Sequence, residues 1–90
     1  MVSEEEKRGH IRGKVLEIIV AVAPDADLTN LKDGERLRDQ LDLDSMDFLD
    51  IVMELRKRYQ IEVPKEKYTE LATLNSTVDY LLQQYEKFGQ

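Results

Sequence analysis

Apolar residues recur at steps of three and four in several separate stretches of this chain, and nowhere do they alternate over the length of a strand. That spacing is the strongest constraint on the fold. In the first stretch Ile11, Val15, Ile18, Ile19 and Val22 cover one face of a helix. Ser3 before Glu4, Glu5 and Glu6 reads as an N-cap with a negatively charged first turn. Pro24 ends the helix, because the residue before a proline is pushed out of the α region. Gly9 and Gly13 each weaken its first half by about 1 kcal/mol relative to alanine, so a loose start is expected.

Residues 24 to 44 read as a long connection rich in turn formers, among them Pro24, Asp25, Asn30, Asp33 and Gly34. Leu28, Leu31, Leu37, Leu41 and Leu43 should pin it to the core, with one short helical turn near Glu35 to Gln40. A second helix is predicted from Ser45 to Tyr59, with Asp44 or Ser45 as its N-cap. Phe48, Ile51, Val52, Leu55 and Tyr59 share its inner face. Ile61, Val63 and Pro64 read as an extended connector, followed by a short helix over Lys65 to Leu71 with Tyr68 and Leu71 inward. The last helix places Val78, Leu81, Leu82, Tyr85 and Phe88 on one face. Thr73, Asn75 or Ser76 could cap it, and Ser76 with Asp79 approaches a capping box. The predicted fold is an all-α bundle of three main helices plus one short one, with a long loop between the first and second.

At 90 residues the chain is one domain with a small core. The net charge is −6, which argues against nucleic acid as the main partner, since phosphate binding needs a basic face. The chain has no cysteine, which removes disulfides, thiolate metal sites and a cysteine nucleophile. The longest apolar run, Ile18 to Ala23, is six residues, far short of the roughly 18 a membrane span requires. The first ten residues are acidic and polar, unlike a secretory leader, so a cytoplasmic location is expected.

The charge is unevenly placed. Between Asp39 and Glu54 stand six acids and no base, while the rest of the chain holds thirteen of each. A helix face that is merely solvated mixes signs. A field of one sign steers a positively charged partner. Dipole complementation explains Asp44 and Asp47 but not Asp50 or Glu54. Met46 and Met53, two turns apart with Asp50 between them, face away from Val52. Exposed methionine suits an adaptable binding surface. An EF-hand loop begun at Asp42 fails, because Met46 falls at a ligand position and Asp47 where glycine is required. No metal site is assigned, and only diffuse divalent binding by Asp39, Asp42, Asp44 and Asp47 is left.

Ser45 sits at the start of the second helix, in the centre of the acidic window. The stretch Leu41-Asp-Leu-Asp-Ser-Met-Asp47 resembles the attachment motif of acyl carrier proteins. The likeness continues through Phe48-Leu-Asp-Ile-Val-Met-Glu-Leu55, Tyr59-Gln-Ile-Glu-Val-Pro64, Thr73 and Val78-Asp-Tyr-Leu-Leu82, over residues 11–86, leaving loose ends. The resemblance implies that the chain is a carrier and not an enzyme. It implies that Ser45, with Asp44 as motif neighbour, bears a 4′-phosphopantetheine arm delivered from coenzyme A by a phosphopantetheinyl transferase and its Mg²⁺. It implies that Met46, Asp47, Asp50, Met53 and Glu54 face acyl-loading and acyl-processing enzymes with basic docking patches. Such carriers serve fatty acid, specialised lipid or polyketide synthesis and usually act as monomers, with apolar helix faces lining a shelter for the acyl chain.

Three departures stand out. Asp42 replaces a common glycine, Arg56-Lys-Arg58 gives the second helix a basic end, and Phe48 stands where many fatty-acid carriers have a smaller residue. The last two point towards a specialised carrier. The sole histidine, His10, reads as a surface residue. The competing reading is an acidic helical interaction module in which Ser45 is only a helix cap.

Overall fold

A computed structural model describes residues 3–88. Helix α1 spans Glu4–Val22, α2 Leu37–Leu41, α3 Ser45–Tyr59 and α4 Leu74–Leu82. Two 3₁₀ segments, Lys65–Leu71 and Tyr85–Phe88, stand before and after α4. No strand forms among the described residues; the one β-bridge pairs Arg36 with Thr73. The architecture is the all-α bundle that apolar spacing predicts, with α1 packed on both α3 and α4.

The Ser3 side chain accepts the Glu6 N–H and caps α1. The helix runs unbroken through Gly9 and Gly13, where an added Cβ would meet nothing within 4 Å. These glycines answer no packing demand. Ile11, Val15, Ile18 and Ile19 are fully buried, on the face their spacing defines. They meet Ile51 and Leu55 of α3 and Leu74, Val78 and Leu81 of α4 in one core.

The long connection is held by more than leucines. Leu37 and Leu43 are buried, and Leu28, Leu31 and Leu41 are half-buried. The Gln40 amide also staples the loop, accepting from Lys32 N–H at 2.7 Å and donating to the carbonyls of Lys32 and Glu35 at 2.7 and 3.0 Å. The helical turn expected near Glu35 to Gln40 is α2, displaced slightly towards the C-terminus. Leu37 N–H donates to the Ala72 carbonyl at 2.9 Å, and Asn75 N–H to that of Asp33 at 2.9 Å. The loop therefore lies against the start of α4.

Several local expectations need correction. The short helix over Lys65–Leu71 forms with the expected bounds, in 3₁₀ geometry, with Leu71 buried and Tyr68 half-buried. The box capping α4 joins Thr73 and Ser76, not Ser76 and Asp79; Asp79 instead pairs with Arg8 across α1 and α4. The helix stops at Leu82, and Tyr85–Phe88 forms a separate turn that buries Phe88 against Tyr59, ring centroids 4.6 Å apart. His10 is exposed yet tied down. Its Nε2–H donates to the Phe88 carbonyl at 3.0 Å, and its ring meets Tyr85 edge-on.

Arg12 grips Asp33 with two hydrogen bonds of 2.8 and 3.0 Å, tying α1 to the loop. That hydrogen bonding holds the Asp33 carboxyl below the usual carboxylate range. A depressed folded-state pKa gives stability above the unfolded value near 4 that is lost as pH falls through the folded value. For a half-exposed pair the gain is about 0.5 kcal/mol. In urea unfolding, Asp33→Asn should therefore lower stability by about that amount at neutral pH, with the gap closing below about pH 4. Gly13→Ala should raise stability by about 0.5–1 kcal/mol, since it fills open space in a helix interior. A loss would mean that the glycine is required.

Candidate functional site

The site is built on the first turn of α3. Asp44 is the N-cap in extended backbone, and its carboxylate accepts the Asp47 N–H at 2.8 Å. The Asp47 carboxylate reaches back to Asp44 N–H at 3.3 Å, completing a capping box. Of the two possible caps, then, Asp44 takes the role. Ser45 is the first helical residue. Its hydroxyl is exposed and makes no hydrogen bond among the described residues, and the N–H groups of Ser45 and Met46 are likewise unpaired. Unpaired N–H groups at a helix start favour an anion beside them.

Asp42, just before the site, adopts the left-handed region at φ 54°, ψ 42°. That conformation suits glycine, and aspartate tolerates it better than most other residues. The departure at this position thus keeps the turn while adding a charge. Backbone geometry explains why glycine is the common choice there.

The remaining residues singled out on α3 divide into two groups. Met46 and Met53 are 70% and 60% exposed, and Asp50 is exposed with no ion-pair partner among the described residues. These form an outward strip. Asp47 is engaged in the capping box. Glu54 is half-buried and bound to Arg58 at 2.7 Å, with Lys57 at 3.8 Å. The basic end of α3 thus partly neutralises Glu54, while Arg56 pairs with Glu62 at 3.7 Å. Leu49 escaped the sequence reading. It is 45% exposed, one helical turn from Ser45 and one from Met53. Its position at i+4 from the serine was the available signal.

Beside Ser45 lies an open groove of about 600 Å³. It is lined by Phe48 and Leu49 of α3, by Tyr68, Thr69 and Ala72 from the segment before α4, and by Arg36 and Arg38. Phe48 and Tyr68 meet edge-on at 6.0 Å. The interior is different. The enclosed space among Val15, Ile19, Leu43, Phe48, Ile51 and Leu71 is about 10 Å³, at most one water. Phe48 lines this closed space as well as the outer groove. Among the described residues no three potential metal ligands cluster, and no helix is long and apolar enough to cross a membrane.

The division of labour at the helix start predicts an ordering of stabilities. Asp44→Ala should cost about 1 kcal/mol in urea unfolding, the worth of an N-cap. Ser45→Ala should change stability by less than about 0.5 kcal/mol, since alanine is the better helix former. The reverse order would show that Ser45 holds the helix start.

Residues 13–81 match the family described as the phosphopantetheine attachment site. The acyl carrier protein of Tropheryma whipplei (strain Twist) is 34% identical over 74 residues, covering 79% of this chain and 90% of that protein. The acyl carrier protein of Chlorobium luteolum is 29% identical over 72 residues, covering 80% and 91%. That of Brachyspira hyodysenteriae is 30% identical over 56 residues, covering 62% and 72%. The match spans α3 and the helices that pack beside it, so this chain belongs to the acyl carrier proteins, whose prosthetic group is 4′-phosphopantetheine.

Proposed function

We propose that Ser45 is the attachment residue, and that the chain carries acyl groups and presents them to partner enzymes without catalysing their chemistry. One observation carries this reading: the Ser45 hydroxyl is exposed and unengaged at a helix start that Asp44 and Asp47 already cap. The residues present fit the group. The exposed oxygen can form a phosphodiester without dismantling the helix, and unpaired N–H groups lie beside it. When bound, the arm supplies a terminal thiol that holds acyl groups as thioesters.

Ser45 needs no base of its own, because a phosphopantetheinyl transferase would activate it. His10, the only histidine, is committed to the Phe88 carbonyl. The strip Met46, Leu49, Asp50 and Met53 is the surface best suited to meet partner enzymes. Its methionines adapt to different partners, and Asp39, Asp42, Asp44 and Asp50 supply a field that steers basic docking patches. Glu54 contributes less, being paired with Arg58 and Lys57 within α3, while Asp44 and Asp47 keep their charge as they cap the helix. Phe48 beside the attachment residue and the basic end of α3 favour a specialised carrier over a general fatty-acid one.

The test is intact-mass spectrometry after incubation with coenzyme A, Mg²⁺ and a broad-specificity phosphopantetheinyl transferase. The wild type should gain one phosphopantetheine group and Ser45→Ala none. No gain in wild type, under conditions that modify another carrier, would overturn the reading and favour a plain interaction module.

A further inference from the structure

Two bases, Arg36 and Arg38, line the groove beside Ser45. Both are exposed, and neither pairs with an acid among the described residues. Seven other bases do make such pairs, while Lys7, Lys65, Lys67 and Lys87 make none among the described residues. What sets the two arginines apart is their place in the groove that Ser45 also lines.

The backbone bearing these arginines is fixed. Arg36 bridges to Thr73, Leu37 donates to Ala72 and buries its side chain, and Arg38 follows in the first turn of α2. The two guanidinium groups are therefore carried on a segment braced against Ala72 and Thr73. Ser45, Phe48 and Leu49 line the same groove from the capped start of α3.

We propose that this groove is the bed of the 4′-phosphopantetheine arm, which rests along the outside of the bundle with its phosphodiester held by Arg36 and Arg38. The inference rests on Ser45 as the attachment residue and adds where the arm lies and what holds it. Attachment at Ser45 tethers the occupant to the groove. A phosphodiester there adds negative charge to a surface already dense in carboxylates, and the arginines are the bases lining that groove. A planar guanidinium matches phosphate oxygens two at a time. Phe48, Leu49 and the Tyr68 ring supply apolar contact for the chain beyond the phosphate, and Thr69 a hydroxyl for its amides. Size points the same way: the groove is about 600 Å³, within the range that takes small ligands, while the interior offers about 10 Å³.

The experiment compares amide chemical shifts of ¹⁵N-labelled apo and holo protein, for wild type and for the double variant Arg36→Gln/Arg38→Gln, each checked by intact mass. In wild type, changes on modification should extend from Ser45 to Phe48, Leu49, Tyr68, Thr69 and Ala72. In the double variant the changes at those distal amides should fall by about twofold or more, the scale of an exposed charge contact. Raising salt to about 1 M should weaken them similarly in wild type, because screening is then nearly complete beyond about 3 Å. Changes confined to residues 44–46, changes at Val15, Ile19 and Ile51, or equal changes in the double variant would overturn the inference while leaving attachment intact. Failure of wild type to gain the group by mass would remove attachment at Ser45 and this inference together.

Discussion

The reciprocal hydrogen bonding of Asp44 and Asp47 is the interaction on which the site depends. A helix start leaves N–H groups without partners, and a serine there would ordinarily be recruited to satisfy one. Here two aspartates take that work. Ser45 moves one step into the helix, where its hydroxyl answers to nothing in the fold. The same shift leaves the N–H groups of Ser45 and Met46 open beside that hydroxyl. Capping and the proposed attachment thus fall to adjacent residues.

The acidic window is less uniform than its composition implies. Glu54 is drawn into ion pairs with Arg58 and Lys57, while Asp44 and Asp47, both in the cap, meet no base among the described residues. The unpaired negative charge concentrates towards the start of α3, around the serine. Met46, Leu49 and Met53 remain exposed beside it. A partner with a basic patch would be steered to the end of the helix where Ser45 stands. The basic end is therefore not only dipole complementation, because it also confines the field. Phe48 joins this surface to the interior, lining both the outer groove and the small closed space beneath.

Much of the fold is legible in the spacing of apolar residues. Ile11, Val15, Ile18 and Ile19 lie on the buried face that a period of 3.6 predicts, and the bounds of α3 follow from Asp44 and Tyr59. Less legible are features set by contacts between distant segments. Lys65–Leu71 is too short for periodicity to separate 3₁₀ from α. The Gln40 staple depends on how the loop closes, which no local pattern encodes. Arg36 and Arg38 come to line the groove beside Ser45 because the loop lies against Ala72 and Thr73, more than thirty residues away in sequence. The family motif marks Ser45, but which neighbour caps the helix is a question of geometry. Leu49 was within reach, one turn from Ser45, and was obscured by the more conspicuous methionines.

On the proposed reading, Ser45 Oγ bears the prosthetic group while Asp44 and Asp47 continue to hold the helix. The most direct measurement is a phosphorus–proton correlation spectrum of the holo protein, recorded with amide exchange at Asp47. The account predicts coupling from the phosphorus to the Ser45 β-protons, with the Asp47 amide protected as in the apo protein. Coupling to a different hydroxyl, or loss of Asp47 protection on modification, would contradict it.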